Sequence, residues 1–144
     1  MIASYSYNDR SYDDDTANGA AFVRTKGVRT VDTPAHLGKG EINYDDGRFF
    51  GDLAGAYTSR RNTTYTGDVT VEGYTLFDAT IEYRFPANGV LAGVELQINA
   101  VNLTDERYVA ALGSGQFFDT AASLNNTLQA GSPRQIFGTF RRRL

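Results

Sequence analysis

At 144 residues, 41% of them hydrophobic and 22% charged, the chain has material for one domain and too much apolar content for simple disorder. Fourteen basic residues against seventeen acidic ones leave a net charge of −3, which argues against nucleic acid as a partner. Cysteine is absent, excluding disulfides, thiolate metal sites and cysteine nucleophiles together, and no run reaches the roughly 18 apolar residues of a membrane helix. A transmembrane β-barrel survives these tests, because its alternating strands average out polar.

The opening residues, MIASYSYND, carry none of the basic, apolar and small-residue regions of a secretory leader. They start at once in strand-like alternation, as a chain cut from something longer would. Ala3, Tyr5 and Tyr7 oppose Ser4, Ser6 and Asn8. A second strand is expected over Ala35–Tyr44, where Gly38, Lys39, Gly40 and Glu41 blur both faces and point to a bulge or slip. From Arg48 to Arg60, Phe49, Leu53 and Tyr57 share a face with Gly51 and Gly55. The clearest alternation runs from Val71 to Phe85, with Phe77, Ala79, Ile81 and Tyr83 against Asp78, Thr80, Glu82 and Arg84. Val94, Leu96, Ile98 and Ala100 follow, opposed by Glu95, Gln97 and Asn99. Ile136, Gly138 and Phe140 close the series against Phe137, Thr139 and Arg141.

The links are as regular as the strands. Asp45-Asp46-Gly47 and Pro86-Ala87-Asn88-Gly89 read as short turns, whereas residues 9–33, 61–70 and 110–131 form long connections. Long and short links in alternation imply an antiparallel up-and-down meander of about six strands, with both turns at one end. The more apolar face carries Tyr5, Tyr7, Tyr44, Tyr57 and Tyr83 near strand ends, as aromatic girdles around a lipid-facing band do. A solvated face on a soluble antiparallel sheet gives the same alternation, so periodicity alone leaves both readings open.

Little in the chain reads as reaction chemistry. Asp13-Asp14-Asp15 has hard oxygen donors but no EF-hand spacing, and a solvated loop accounts for it. His36 is the single histidine, so no histidine cluster or triad can be assembled. Asp78 and Glu82 are explained as polar residues on a wet face, without acid–base work. Gly113-Ser114-Gly115 lacks the strand–loop–helix setting of a phosphate loop. Arg60, Arg61 and Arg107 lie where strands emerge on the long-loop side, and are the candidates for gripping an anionic ligand. No enzyme, no metal and no cofactor are expected.

The run Val101-Asn102-Leu103-Thr104-Asp105-Glu106-Arg107-Tyr108 and the lead-in Gly131-Ser132-Pro133-Arg134 resemble the end of the barrel in TonB-dependent outer-membrane receptors. Within these runs Asn102, Leu103, Asp105, Tyr108, Pro133 and Arg134 carry the likeness. Tyr5-Ser6-Tyr7-Asn8, Thr33-Pro34-Ala35-His36 and Tyr74-Thr75-Leu76-Phe77-Asp78 support it in the same order, so the resemblance spans residues 1–144. It implies a C-terminal section of a receptor for iron–siderophore complexes or similar scarce nutrients, set in the outer membrane of a Gram-negative bacterium. The implied partners are outer-membrane lipid, the remaining strands and plug of a parent receptor, and the ligand; the TonB system would be reached only through the plug. Such transporters close on about 22 strands, of which this chain supplies about six. Family members usually end on an aromatic residue, whereas this chain ends Arg141-Arg142-Arg143-Leu144.

Overall fold

A computed structural model describes residues 1–18, 21–113 and 127–142. Its strands in chain order are β1 (Ile2–Tyr7), β2 (Thr16–Asn18), β3 (Ala21–Val23), β4 (His36–Asp45), β5 (Phe49–Thr58) and β6 (Arg61–Asn62). They continue as β7 (Thr70–Val71), β8 (Tyr74–Arg84), β9 (Val94–Val101), β10 (Val109–Gly113), β11 (Thr127–Ala130) and β12 (Gln135–Arg142). Six of them form one antiparallel sheet in the order β1-β4-β5-β8-β9-β12, the meander expected from alternation. The other six pair off as small ribbons, β2 with β3, β6 with β7 and β10 with β11. All three ribbons lie within the long connections.

Register makes the two faces continuous. Antiparallel partners share a face, and the pairs Tyr5↔Gly38, Gly38↔Tyr57, Leu53↔Ala79, Ile81↔Ile98 and Ile98↔Gly138 carry one side across the whole sheet. That side presents Ile42, Leu53, Phe77, Ile81, Ile98, Ile136 and Phe140, all exposed. The opposite side carries Lys39, Glu41, Asp52, Asp78, Thr80, Glu82, Gln97, Asn99 and Arg141. The anticipated slip in the second strand is absent: β4 keeps unbroken register with β1 and with β5. Its pattern blurs because the outward Gly38 and Gly40 have no side chain to mark their face.

Between Tyr83 and Phe85 and the facing Tyr44 and Phe49, the turn end of the apolar side is aromatic, with ring pairs at 4.9 Å and 6.5 Å. At the loop end stand Tyr5, Tyr7, His36 and Tyr57; the His36 ring lies 5.3 Å from Tyr7, and its Nδ1 is hydrogen-bonded to Tyr5 Oη at 2.8 Å. From His36 to Tyr44 the strand rises roughly 27 Å, or about 20 Å in height at a tilt near 40°. That is close to the apolar band of an outer-membrane barrel. Outward glycines soften this band: a Cβ on Gly55 would stand 3.2 Å from the Phe77 ring, which covers that position instead.

Among the described residues no second layer covers either face. Among the described residues Val94 is the one buried hydrophobic side chain, so the sheet lacks the core that a water-soluble sandwich builds between its layers.

Both short turns lie at one end. Gly47 takes φ +86°, and Asp46 Oδ1 accepts the N–H groups of Arg48 (2.9 Å) and Phe49 (2.6 Å). These bonds hold the Asp46 carboxyl below its ordinary range, the Phe49 N–H first and the Arg48 N–H second. From the neighbouring hairpin, Arg84 reaches Asp45 at 2.8 Å and its N–H donates to Arg48 O at 2.8 Å, tying the two turns together.

Candidate functional site

The opposite end carries the long connections, whose described residues are tied together by polar side chains. Asn102, just past β9, takes φ +51°, a left-handed conformation that Asn tolerates better than most residues. Its N–H donates to Asp78 Oδ1 (2.8 Å), anchoring it to β8. Its Nδ2 donates to the carbonyls of Glu106 (2.9 Å) and Ser132 (3.0 Å), and its Oδ1 accepts the Glu106 N–H (2.8 Å). At 2% exposure the side chain has no water to fall back on, so these bonds carry its whole polar load.

The remaining motif residues complete this knot. Asp105, at φ +57°, donates its N–H to Asn102 O (2.9 Å) and accepts the Arg134 N–H on Oδ1 (3.0 Å). The Tyr108 ring packs tilted against Tyr74, centroids 4.4 Å apart, and its carbonyl accepts the Gly131 N–H at 2.8 Å. A Cβ on Gly131 would fall inside the Tyr108 ring, which is why the lead-in to β12 begins with glycine. Leu103 donates its N–H to Phe77 O (2.7 Å) and leaves its side chain exposed. Pro133 is exposed between the two anchor points Ser132 and Arg134. Two runs some 30 residues apart in sequence thus form one spatial unit.

A second clamp gathers all three connections around Arg61. Its Nη1 pairs with Asp32 Oδ1 at 2.6 Å, its Nη2 donates to Val109 O, and its guanidinium lies 5.8 Å from the centre of the Tyr74 ring. With 5% exposure this arginine is committed to holding loops. Nearby, Asn62 Nδ2 donates to Arg29 O (2.9 Å), and the buried Thr64 hydroxyl donates to Asp68 (2.6 Å). Burial raises the Tyr12 hydroxyl above its ordinary pKa, partly offset by its bond from the Val31 N–H.

Arg60 and Arg107 are exposed. Arg107 borders a depression of about 340 Å³ with Glu72, Gly73, Glu106, Tyr108 and Val109. Arg60 borders two others, one with Arg29, Ala35, His36, Ser59 and Asn62 and one with Tyr57, Ser59, Glu72 and Gly73. The acidic run is structural: Asp15 Oδ1 accepts the N–H groups of Thr25 (3.0 Å) and Lys26 (2.9 Å), while Asp14 O accepts the Thr25 hydroxyl. Asp78 and Glu82 work apart, one on Asn102 and the other on Arg84 at 2.6 Å. In the Gly113-Ser114-Gly115 run, Ser114 and Gly115 lie outside the described residues, as do Arg143 and Leu144.

The two-faced sheet, with aromatic rims and tight turns at one end, can be set against known proteins. Residues 1–103 fit the profile described as TonB dependent receptor-like, beta-barrel. The chain belongs to the TonB-dependent receptor β-barrel family. A Ferrioxamine B receptor of Salmonella typhimurium is 31% identical over 123 residues, covering 79% of this chain and 16% of that receptor. The chain therefore spans about one sixth of the curated relative's length. Among solved structures, the siderophore receptor PiuA from Acinetobacter baumannii superposes with a TM-score of 0.69 at 18% identity, over 95% of this chain and 19% of that one. The unliganded ferric citrate transporter FecA gives 0.61 at 19% identity, over 80% and 17%. The ferric-catecholate import receptor Fiu of E. coli gives 0.56 at 22% identity, over 75% and 15%. At these identities the structural matches speak for the fold, a stretch of barrel wall. The family is one of Gram-negative outer-membrane receptors, and the matched relatives are named as receptors and transporters.

Proposed function

We propose that this chain is the C-terminal section of an outer-membrane receptor that takes up iron–siderophore complexes or similarly scarce nutrients. The observation that carries the reading is the two-sided sheet, apolar between aromatic rims outward and charged inward, in a chain of this family. Residues 1–144 would supply six wall strands and three loops on the ligand side. The remaining strands, the plug and the contact with the TonB system would come from the rest of the receptor. An anionic ligand would meet the loop end, where Arg107 stands free of the clamp that occupies Arg61.

Two measurements test this. A lipid-depth quencher should reach a probe at position 81 from within the acyl chains; shielding from both lipid and water would place that residue in a protein core and end the membrane reading. Reconstituted alone in liposomes, the chain should give no siderophore-specific uptake, because its two unpaired sheet edges cannot enclose a lumen. Uptake above an empty-liposome control would overturn its assignment as one section of a receptor.

A further inference from the structure

We propose that the turn after β8 holds a site of spontaneous covalent modification, where Asn88 loses its side-chain amide to attack by the Gly89 nitrogen and becomes aspartate or isoaspartate. The proposal stands apart from the receptor reading and holds in lipid or detergent alike.

Access comes first. Residues 85–93 are closed by Phe85 N–H to Val94 O (2.9 Å), Ala92 N–H to Gly89 O (3.2 Å) and Val94 N–H to Leu91 O (3.1 Å). None of these bonds uses the Asn88 side chain or the Gly89 N–H, and neither group has another partner among the described residues. Asn88 and Gly89 are both exposed, and Val90 beside them is 93% exposed. A Cβ on Gly89 would meet nothing within 4 Å, so no neighbour shields the attacking nitrogen, and glycine brings no side chain of its own.

The chemistry needs only solvent. The Gly89 nitrogen gives its proton to a base in water and bonds to Asn88 Cγ, while Asn88 Nδ2 leaves as ammonia. The product is a cyclic imide. Water then adds to one imide carbonyl and breaks its bond to nitrogen. Opening at Cγ gives aspartate; opening at the backbone carbonyl gives isoaspartate, with the chain rerouted through Cγ. Water is taken up, ammonia is released, and nothing is oxidised or reduced. One negative charge is gained.

The other short turn shows what protection looks like. Asp46-Gly47 is open to the same ring closure in sequence, yet the Gly47 N–H donates to Asp45 Oδ1 at 2.8 Å. Asp46 Oδ1 is itself held by the Arg48 and Phe49 N–H groups. Attack there must first break those bonds. Asn99 accepts from Thr80 and Gln97 (both 3.0 Å) and Asn102 is buried, and they precede alanine and leucine rather than glycine. Asn18 also precedes glycine, but Gly19 lies outside the described residues.

The test ages the full chain in mildly alkaline buffer, folded in detergent micelles or unfolded in guanidinium, with far-UV circular dichroism confirming each state. Tryptic peptides are then read by mass spectrometry. Asn88 should convert at rates within about threefold in the two states, as expected where local opening costs almost nothing. Asp46 should isomerise at least about tenfold more slowly in the folded chain, because its hydrogen bonds must open first. Asn99 and Asn102 share a tryptic peptide with Asn88 and should stay intact in the folded chain. Asn88→Gln should stay unconverted, since its longer side chain disfavours the ring. Slowing of Asn88 by folding beyond that threefold range overturns the proposal. So does conversion of Asn88→Gln at the wild-type rate, which would mean direct hydrolysis without ring closure. Conversion of Asn99 or Asn102 as fast as Asn88 would remove the turn's openness as the cause and overturn it equally. None of these outcomes depends on the chain spanning a membrane, so failure here and failure of the receptor reading are separate.

Discussion

The wall of the sheet and its loop end are built on opposite principles. In the wall, large apolar side chains face out uncovered, with Ile98 57% and Ile136 67% exposed. At the loop end the buried side chains are polar: Asn102, Arg61, Thr25 and Thr64 are all sequestered. On the proposed membrane reading the wall's hydrophobic contribution is supplied from outside by lipid, and its internal cohesion is the backbone ladder. The loop end is held by side chains bonded to backbone across long sequence separations, and needs no lipid. One chain is thus built for two solvents, and each part should fail in its own way.

The sharpest way to break the loop end is Asn102→Ala. It strands the Glu106 N–H and two carbonyls in a buried site and puts alanine at positive φ. A loss of about 3–5 kcal/mol is expected in vesicle refolding titrations. The effect should persist in any detergent, since the bonds of Asn102 are made by a buried side chain. Equal stability of this variant would show that the knot contributes nothing.

The wall should answer to the medium instead. Ile81→Arg is expected to cost about 2–4 kcal/mol if residue 81 lies near the bilayer midplane, and less toward either rim. Lys39→Glu, on the inward face, should stay within about 0.5 kcal/mol. The comparison is made by folding both variants into vesicles of different thickness. A smaller penalty follows from Gly131→Ala, which must push the Tyr108 ring aside at about 1–3 kcal/mol. Near-ultraviolet circular dichroism, sensitive to the Tyr74–Tyr108 pair, should change with it.

The smallest effect belongs to the turn end. The Asp46 carboxyl is held below its ordinary value of 3.8 in the folded chain by the Phe49 and Arg48 N–H groups. The unfolded chain binds that proton first as pH falls, so the carboxylate's support is complete above 3.8 and disappears as pH drops through the folded value. Amide resonances of Phe49 and Arg48, followed from about pH 5 to about pH 2, should shift together in wild type and stay flat in Asp46→Asn. An unchanged profile in the variant would remove Asp46 as the titrating group.

The same contrast explains what could be read from the sequence. Six wall strands are visible because lipid on one side and water on the other impose a strict period of two. The ribbons β2–β3, β6–β7 and β10–β11 have strands of two to five residues, too short for any period to register. Arg61 reads in sequence as a free cationic arm, yet its guanidinium closes on Asp32 and Val109, 29 and 48 residues away. No local pattern announces such a bond. The motif residues are a middle case: their spacing marks Asn102, Asp105 and Tyr108, while the knot that uses them needs Asp78, Ser132 and Gly131 brought in by the fold.

The outward glycines of β4 and β5 have one more effect. Where Gly38, Gly40, Gly51 and Gly55 replace side chains, the peptide groups themselves become the surface that the bilayer would touch, apart from the patches covered by Phe77 at Gly55 and Phe49 at Gly51. Elsewhere in the wall, bulky residues insulate the interstrand hydrogen bonds. Along this strip the insulation is hydrocarbon borrowed from the membrane. Amide exchange there should track the packing of the surrounding acyl chains, fast in loose short-chain micelles and slow in an ordered bilayer, while β8 and β9 change little.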